Sequence, residues 1–224
     1  MKINLSTTII LLALLTNCVS TKIVPLNVDS SSIKDKAIIV KYDNEKPYFA
    51  AMTSTNMTLA ALTGGIVGSI MMIHEGNKII KENNINDPAI FIADNLADHL
   101  KSKYGVRIIK IDHAANNSAD YAIDVKTVDW SFGYLPFKTD SFRVLYSAKL
   151  QMIDLKNSKV IAEGFCSDDS SAENKNNLPS YRQLLDNKAK ILKEELSQSS
   201  QRCLNLFKEK VFNLSANDSI KSPQ

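Results

Sequence analysis

The leading apolar run, residues 9–15, lacks the length of a simple membrane-anchor helix: it falls well short of the ~20 apolar residues a bilayer requires. Charge of one sign is also lacking. The formal balance is +3, about +2 once Lys2 is set aside, which gives no argument for nucleic acid as a partner. His74, His99 and His113 stand apart, with no His-x-x-x-His or His-Glu-x-x-His spacing to hold zinc, and they read as surface histidines. No Gly-x-Ser-x-Gly nucleophile motif occurs, and Asp168-Asp169 sits in a polar stretch, 167–177, that reads as a solvated loop. Glycine and proline are sparse and no repeat recurs at solenoid periods. These absences leave no cofactor, metal or catalytic group to assign. An apolar content of 44% still argues for a packed globule.

What is present begins at Cys18. Met1-Lys2, the short apolar run and then Leu15-Thr16-Asn17-Cys18 look like a bacterial lipoprotein signal peptide, with cleavage leaving an acylated Cys18 as the first residue. Asn17 departs from the Gly, Ala or Ser that usually precedes the cysteine. Val19, where an Asp would mark inner-membrane retention, favours the outer membrane by resemblance to Gram-negative sorting rules. The expected organisation is a signal peptide at 1–17, a tether at 18–33, one periplasmic domain at 34–213 and a disordered tail at 214–224. The expected partners are a membrane reached through the lipid and, beyond it, envelope proteins. Cys166 and Cys203 then remain, and an oxidising compartment would pair them as a structural staple. A redox role would want Cys-x-x-Cys, which is missing; two free buried thiols are the alternative.

The β-branched run 37–42 reads as a buried strand. Asp87-Pro88 opens a helix over 88–104, with Ala89, Ile92, Ala93, Leu96, Leu100 and Tyr104 at helical spacing and Gly105 as the stop. Strand signals follow at 106–111, 121–130, 142–153 and 160–166, the last two joined by turn chemistry at 154–158. A final helix opens on the Ser180-x-x-Gln183 capping box, with Leu185, Ala189, Leu192, Leu196, Cys203 and Leu206 as its apolar stripe. The order predicts an α+β fold: an antiparallel or mixed sheet of four to five strands with helices packed on one side.

The run Ala119-Asp120-Tyr121-Ala122-Ile123-Asp124-Val125, the strand 146–150 and the segment 153–164 ending in Glu163-Gly164 resemble a recurring pattern of periplasmic lipoprotein domains. The curli-secretion lipoprotein, the lipoprotein activators of penicillin-binding proteins and the N-terminal domain of the Tol translocation protein share that pattern, which is a fold signature and brings no catalytic group. Segments 83–97, 130–133 and 163–166 also resemble uncharacterised proteobacterial outer-membrane lipoproteins.

Two segments are candidates for interaction. Residues 49–73 carry no charge, and Ala60, Gly64 and Gly68 fall at small-xxx-small spacing, which suits a membrane-inserted or oligomer-forming helix or, alternatively, a helix buried against the sheet. Trp130, Phe132 and Tyr134 alternate, with Phe137 beyond Pro136, so the rings either offer a partner-binding patch or cover the open end of the core. The function expected is a non-catalytic, lipid-anchored accessory or scaffold facing the periplasm, active in assembly, transport or secretion. Alternatives are an oligomeric secretion or pore component inserting 49–73, and a periplasmic hydrolase in which His99 would gather an Asp and a hydroxyl.

Overall fold

Strict alternation along residues 142–152 puts Phe142, Val144, Tyr146, Ala148, Leu150 and Met152 on one side of a strand, and every one of them is buried. That strand is the middle of a long antiparallel meander in a computed structural model, which describes residues 22–27, 30–42, 46–110, 119–135, 138–174 and 177–214. In chain order the elements are α1 (Ser30–Ile33), β1 (Ala37–Lys41), β2 (Ala50–Met52), α2 (Ser54–Leu62), α3 (Ile66–Glu82), α4 (Pro88–Tyr104) and β3 (Arg107–Lys110). Then come β4 (Tyr121–Leu135), β5 (Lys138–Asp154), β6 (Lys159–Asp169), α5 (Ser171–Asn174) and α6 (Tyr181–Leu206), which runs into a π-helical turn, Phe207–Val211. Cys18 with the signal peptide 1–17, His113, Phe137 and the tail beyond 214 lie outside the described residues.

The sheet runs β3-β1-β4-β5-β6, and β2 adds a short parallel pairing to the far half of β4. β1 pairs parallel with β3 and β4, whereas β4, β5 and β6 are antiparallel, so the sheet is mixed. The α+β class and the one-sided helix layer are as the sequence predicts, with β2 as an extra strand. Ala51↔Phe132 is the central pair of that strand, and Ala51 is fully buried.

Helix α4 has the bounds expected, with Asp87 accepting from the Ala89 amide at 2.9 Å and Gly105 in the left-handed conformation at its end. It lies beside α6 across the sheet, and Ile92, Leu96 and Leu100 of α4 join Leu184, Leu192 and Leu196 of α6 in one apolar core. Cys166 on β6 and Cys203 on α6 are joined in a disulfide, with Cα atoms 5.4 Å apart and 37 residues between them.

Several expectations need correction. Strand β6 continues to Asp169 instead of giving way to a loop at 167. The ion pairs explain why: Asp168 accepts from Arg202 Nε at 2.7 Å, Arg202 Nη2 at 2.8 Å and Ser199 Oγ at 2.6 Å, and Asp169 pairs with Arg143. The stripe of α6 starts one residue earlier than expected, at fully buried Leu184, with Leu185 half-buried against the core. After the capping-box turn the chain leaves helical geometry at Asp186, and Asn187, Lys188 and Ala189 are all left-handed before the helix resumes. Such residues cost roughly 1–2 kcal/mol each; burial of Leu184 and Ala189 on either side offsets the strain. The tether is shorter than 18–33: Val24 exchanges backbone hydrogen bonds with Glu163 on the edge of β6, the Leu26 amide donates to the Val211 carbonyl at 2.7 Å, and Ile33 is buried. At the other end Leu214 is buried and bonded to the Lys208 carbonyl, so the body runs one residue into the expected tail.

Candidate functional site

Residues 49–73 fold as a strand, a helix, a tight turn and the start of a second helix, not as one continuous helix. Thr53 caps α2 by accepting from the Asn56 amide. Gly64 and Gly65, with φ of +67° and +93°, turn the chain back at the end of α2, a conformation glycine adopts without steric cost. The two helices then touch at Gly68, where a Cβ would lie 2.3 Å from the Ala60 Cβ. Ala60 and Gly68 therefore face each other inside one hairpin and Gly64 belongs to the turn. That corrects their reading as a single stripe offered to another molecule. Among the described residues no helix is long and apolar enough to cross a membrane.

The base of the hairpin is tied firmly to the body. Asn56 is buried and donates to the Ala51 carbonyl and to Glu75, whose other carboxylate oxygen accepts from the Tyr181 hydroxyl at 2.7 Å. Burial, reinforced by the Glu75 carboxylate, pushes the Tyr181 hydroxyl far above its ordinary range, so it stays a proton donor. Asn77 accepts from the Phe49 amide at 3.0 Å, and Gly76 lets the helix approach so closely that a Cβ would meet the Phe49 carbonyl oxygen at 2.0 Å.

Beyond that base Met72 is buried, but most of the large apolar side chains are exposed. Leu62 is 79% exposed, Ile66 71% and Ile70 62%, and Met57, Val67 and Met71 are exposed as well. Helix α2 buries none of its apolar residues; Asn56 alone is buried. An open cleft of about 710 Å³ adjoins the base, lined in part by Thr53, Glu75, Asp140, Tyr181 and Arg182. Its carboxylate at Glu75 is already engaged on both oxygens, which suits a structural latch.

The aromatic candidates lie directly underneath and belong to the core. Trp130 and Phe132 are buried, which corrects their reading as a partner-binding patch; Tyr134 is half-buried. Phe49 meets Trp130 edge-on at 5.2 Å between ring centres, Phe132 packs on Phe142 at 5.8 Å, and Tyr134 on Phe142 at 6.4 Å. Alternation did put the three rings on one face, but that face is the one under the helices.

His74 is exposed, as expected, but His99 is buried on α4, which corrects its surface reading, and it lines neither this cleft nor the smaller cavity between α4 and α6. Among the described residues no group of His, Cys, Asp and Glu is placed to hold a metal ion. Lack of charge makes 49–73 look like a single unit in the sequence; Thr53 as a cap and Gly64-Gly65 as a break are the signals that divide it into the exposed hairpin. The Asn56, Glu75 and Tyr181 latch has no local signal, since Tyr181 is 106 residues from Glu75.

No protein-family model matches the chain, and no curated protein does. Among solved structures the chain is similar to the PelC dodecamer from Paraburkholderia phytofirmans at 12% identity, over 85% of this chain and 94% of that one, with a TM-score of 0.34. It is similar to protein XCC0632 from Xanthomonas campestris, of family-model DUF330, at 8% identity over 83% and 89%, TM-score 0.40. It is also similar to lipoprotein GNA1162 from Neisseria meningitidis at 14% identity over 60% and 82%, TM-score 0.23. All three are loose likenesses in shape.

Proposed function

We propose that this chain is a non-catalytic, lipid-anchored accessory or scaffold protein of the bacterial cell envelope, held through Cys18 and facing the periplasm from the outer membrane. The observation that carries the reading is the Cys166–Cys203 bond. Disulfides persist in oxidising compartments, and this one uses both other cysteines, leaving Cys18 as the one thiol available for acylation. The Val24 pairing with Glu163 supports it too: only a few residues separate Cys18 from the edge of β6, which would hold the body close to the bilayer. A lipid-tethered body with a stapled, one-sided sheet is suited to presenting surfaces, and its best-placed carboxylates are consumed in latches and ion pairs.

Labelled palmitate supplied to cells making the full chain tests the anchor. Incorporation that disappears in Cys18→Ala is expected. Equal labelling of the two, or none in either, would overturn it. An oligomeric role keeps one supporting observation, the bare apolar hairpin. A large detergent-extracted ring, in place of a monomer or small complex, would favour that role.

A further inference from the structure

Between Met57 and Ile73 the hairpin of α2 and α3 carries no charge, and Met57, Leu62, Ile66, Val67, Ile70 and Met71 are exposed on both limbs, whereas a helix that merely docks on a partner needs one apolar stripe. We propose that this hairpin enters one leaflet of a lipid bilayer as a wedge, without crossing it. The proposal deepens the envelope reading, which supplies the membrane, but the insertion itself does not depend on Cys18.

Three observations select lipid as the occupant. First, the limb lengths fit a single leaflet. α2 has 9 residues, and α3 is uncharged from Ile66 to Ile73 before His74 and Glu75 begin its polar part. At 1.5 Å per residue α3 reaches roughly 12 Å and the part of α2 beyond Asn56 roughly 9 Å, so both limbs fit within half of the ~30 Å hydrocarbon core. Second, the three hydroxyls beyond Asn56 are satisfied within the hairpin. Thr58 donates to the Ser54 carbonyl at 2.8 Å, Thr63 to Leu59 at 2.7 Å and Ser69 to Gly65 at 2.6 Å. These bonds let Ser and Thr sit where no water is available. Third, polarity marks the base: Asn56 and Glu75 are bonded to each other there, and residues 57–73 between them carry no charge. A second copy of the chain would cover one side of the hairpin and leave the others wet.

The test uses the full chain reconstituted in vesicles of phosphatidylethanolamine and phosphatidylglycerol, without reductant so that the disulfide stays closed. An environment-sensitive dye is attached at Ile66→Cys, or at Lys156→Cys in the exposed β5–β6 turn as reference, and the wild-type chain is taken through the same labelling. Dye on the wild type would mean a free Cys18 and would count against the anchor alone, while the difference between positions 66 and 156 still reports the hairpin. Several-fold quenching at 66 by acyl-chain nitroxide lipids, with shielding from aqueous iodide and the reverse at 156, is the expected result. Adding Leu62→Ser and Ile70→Ser should abolish the acyl-chain quenching. Equal iodide quenching at both positions would overturn the proposal, as would shielding at 66 from both quenchers accompanied by cross-linked dimers, which would assign the surface to a second copy.

Discussion

Leu96 and Leu62 are both helical leucines in this chain, and one has lost all its water while the other keeps most of it. The first belongs to the body, where α4 and α6 close over the sheet, rings pack at the end of the core and a disulfide joins β6 to α6. The second belongs to the α2–α3 hairpin, which is tied down at its base by Asn56, Glu75 and Asn77 and leaves most of its large apolar side chains beyond it exposed. Apolar residues in the body stabilise this fold; those of the hairpin are available to something outside it. The two regions should therefore answer mutation in opposite ways.

Phe132→Ala opens a cavity in the aromatic cluster and should lose about 3–5 kcal/mol in denaturant unfolding, whereas Ile66→Ala should stay within about 0.5 kcal/mol of the parent. Removing the disulfide by Cys166→Ser with Cys203→Ser should cost about 2–4 kcal/mol, read from the same curves, because the 37-residue separation is freed in the unfolded chain. Asp168→Asn should cost about 1–3 kcal/mol, since Arg202 is left half-buried beside a neutral amide.

Asp168 also carries a pH signature. Burial opposes its ionisation, but Arg202 and Ser199 outweigh burial and hold the carboxyl below its ordinary value. The unfolded chain then binds the proton more readily, so this stability is complete above the unfolded carboxyl range near ~3.9 and is lost as pH falls through the lower folded value. Stability curves taken down through pH 4 should drop less steeply in Asp168→Asn than in the parent. The smallest effect on the body belongs to Gly68→Leu, which must splay the hairpin at Ala60. Amide exchange should quicken in α2 while unfolding of the body shifts by under about 0.5 kcal/mol.

Much of the body was legible because its signals are local. Alternation in 142–152 and the Asp87-Pro88 start of α4 each needed one short window of sequence. The disulfide was legible from cysteine counting together with the compartment implied by Cys18. What stayed hidden depends on distant pairing: Asp168 is drawn into β6 by Arg202, 34 residues on, and Tyr181 reaches Glu75 across 106. β2 was missed because Ala50–Met52 is too short to alternate visibly and exists only by pairing with β4. Trp130 and Phe132 show a further limit. Alternation says that residues share a face, and only the tertiary fold says whether that face is wet.

Amide hydrogen exchange of the full chain, with and without lipid vesicles, tests the division between body and hairpin most directly. Residues 54–73 should exchange fast in detergent-free solution and slow markedly with vesicles, while α4, β5 and α6 stay unchanged. A hairpin already as protected as α4 with no lipid present would contradict the account.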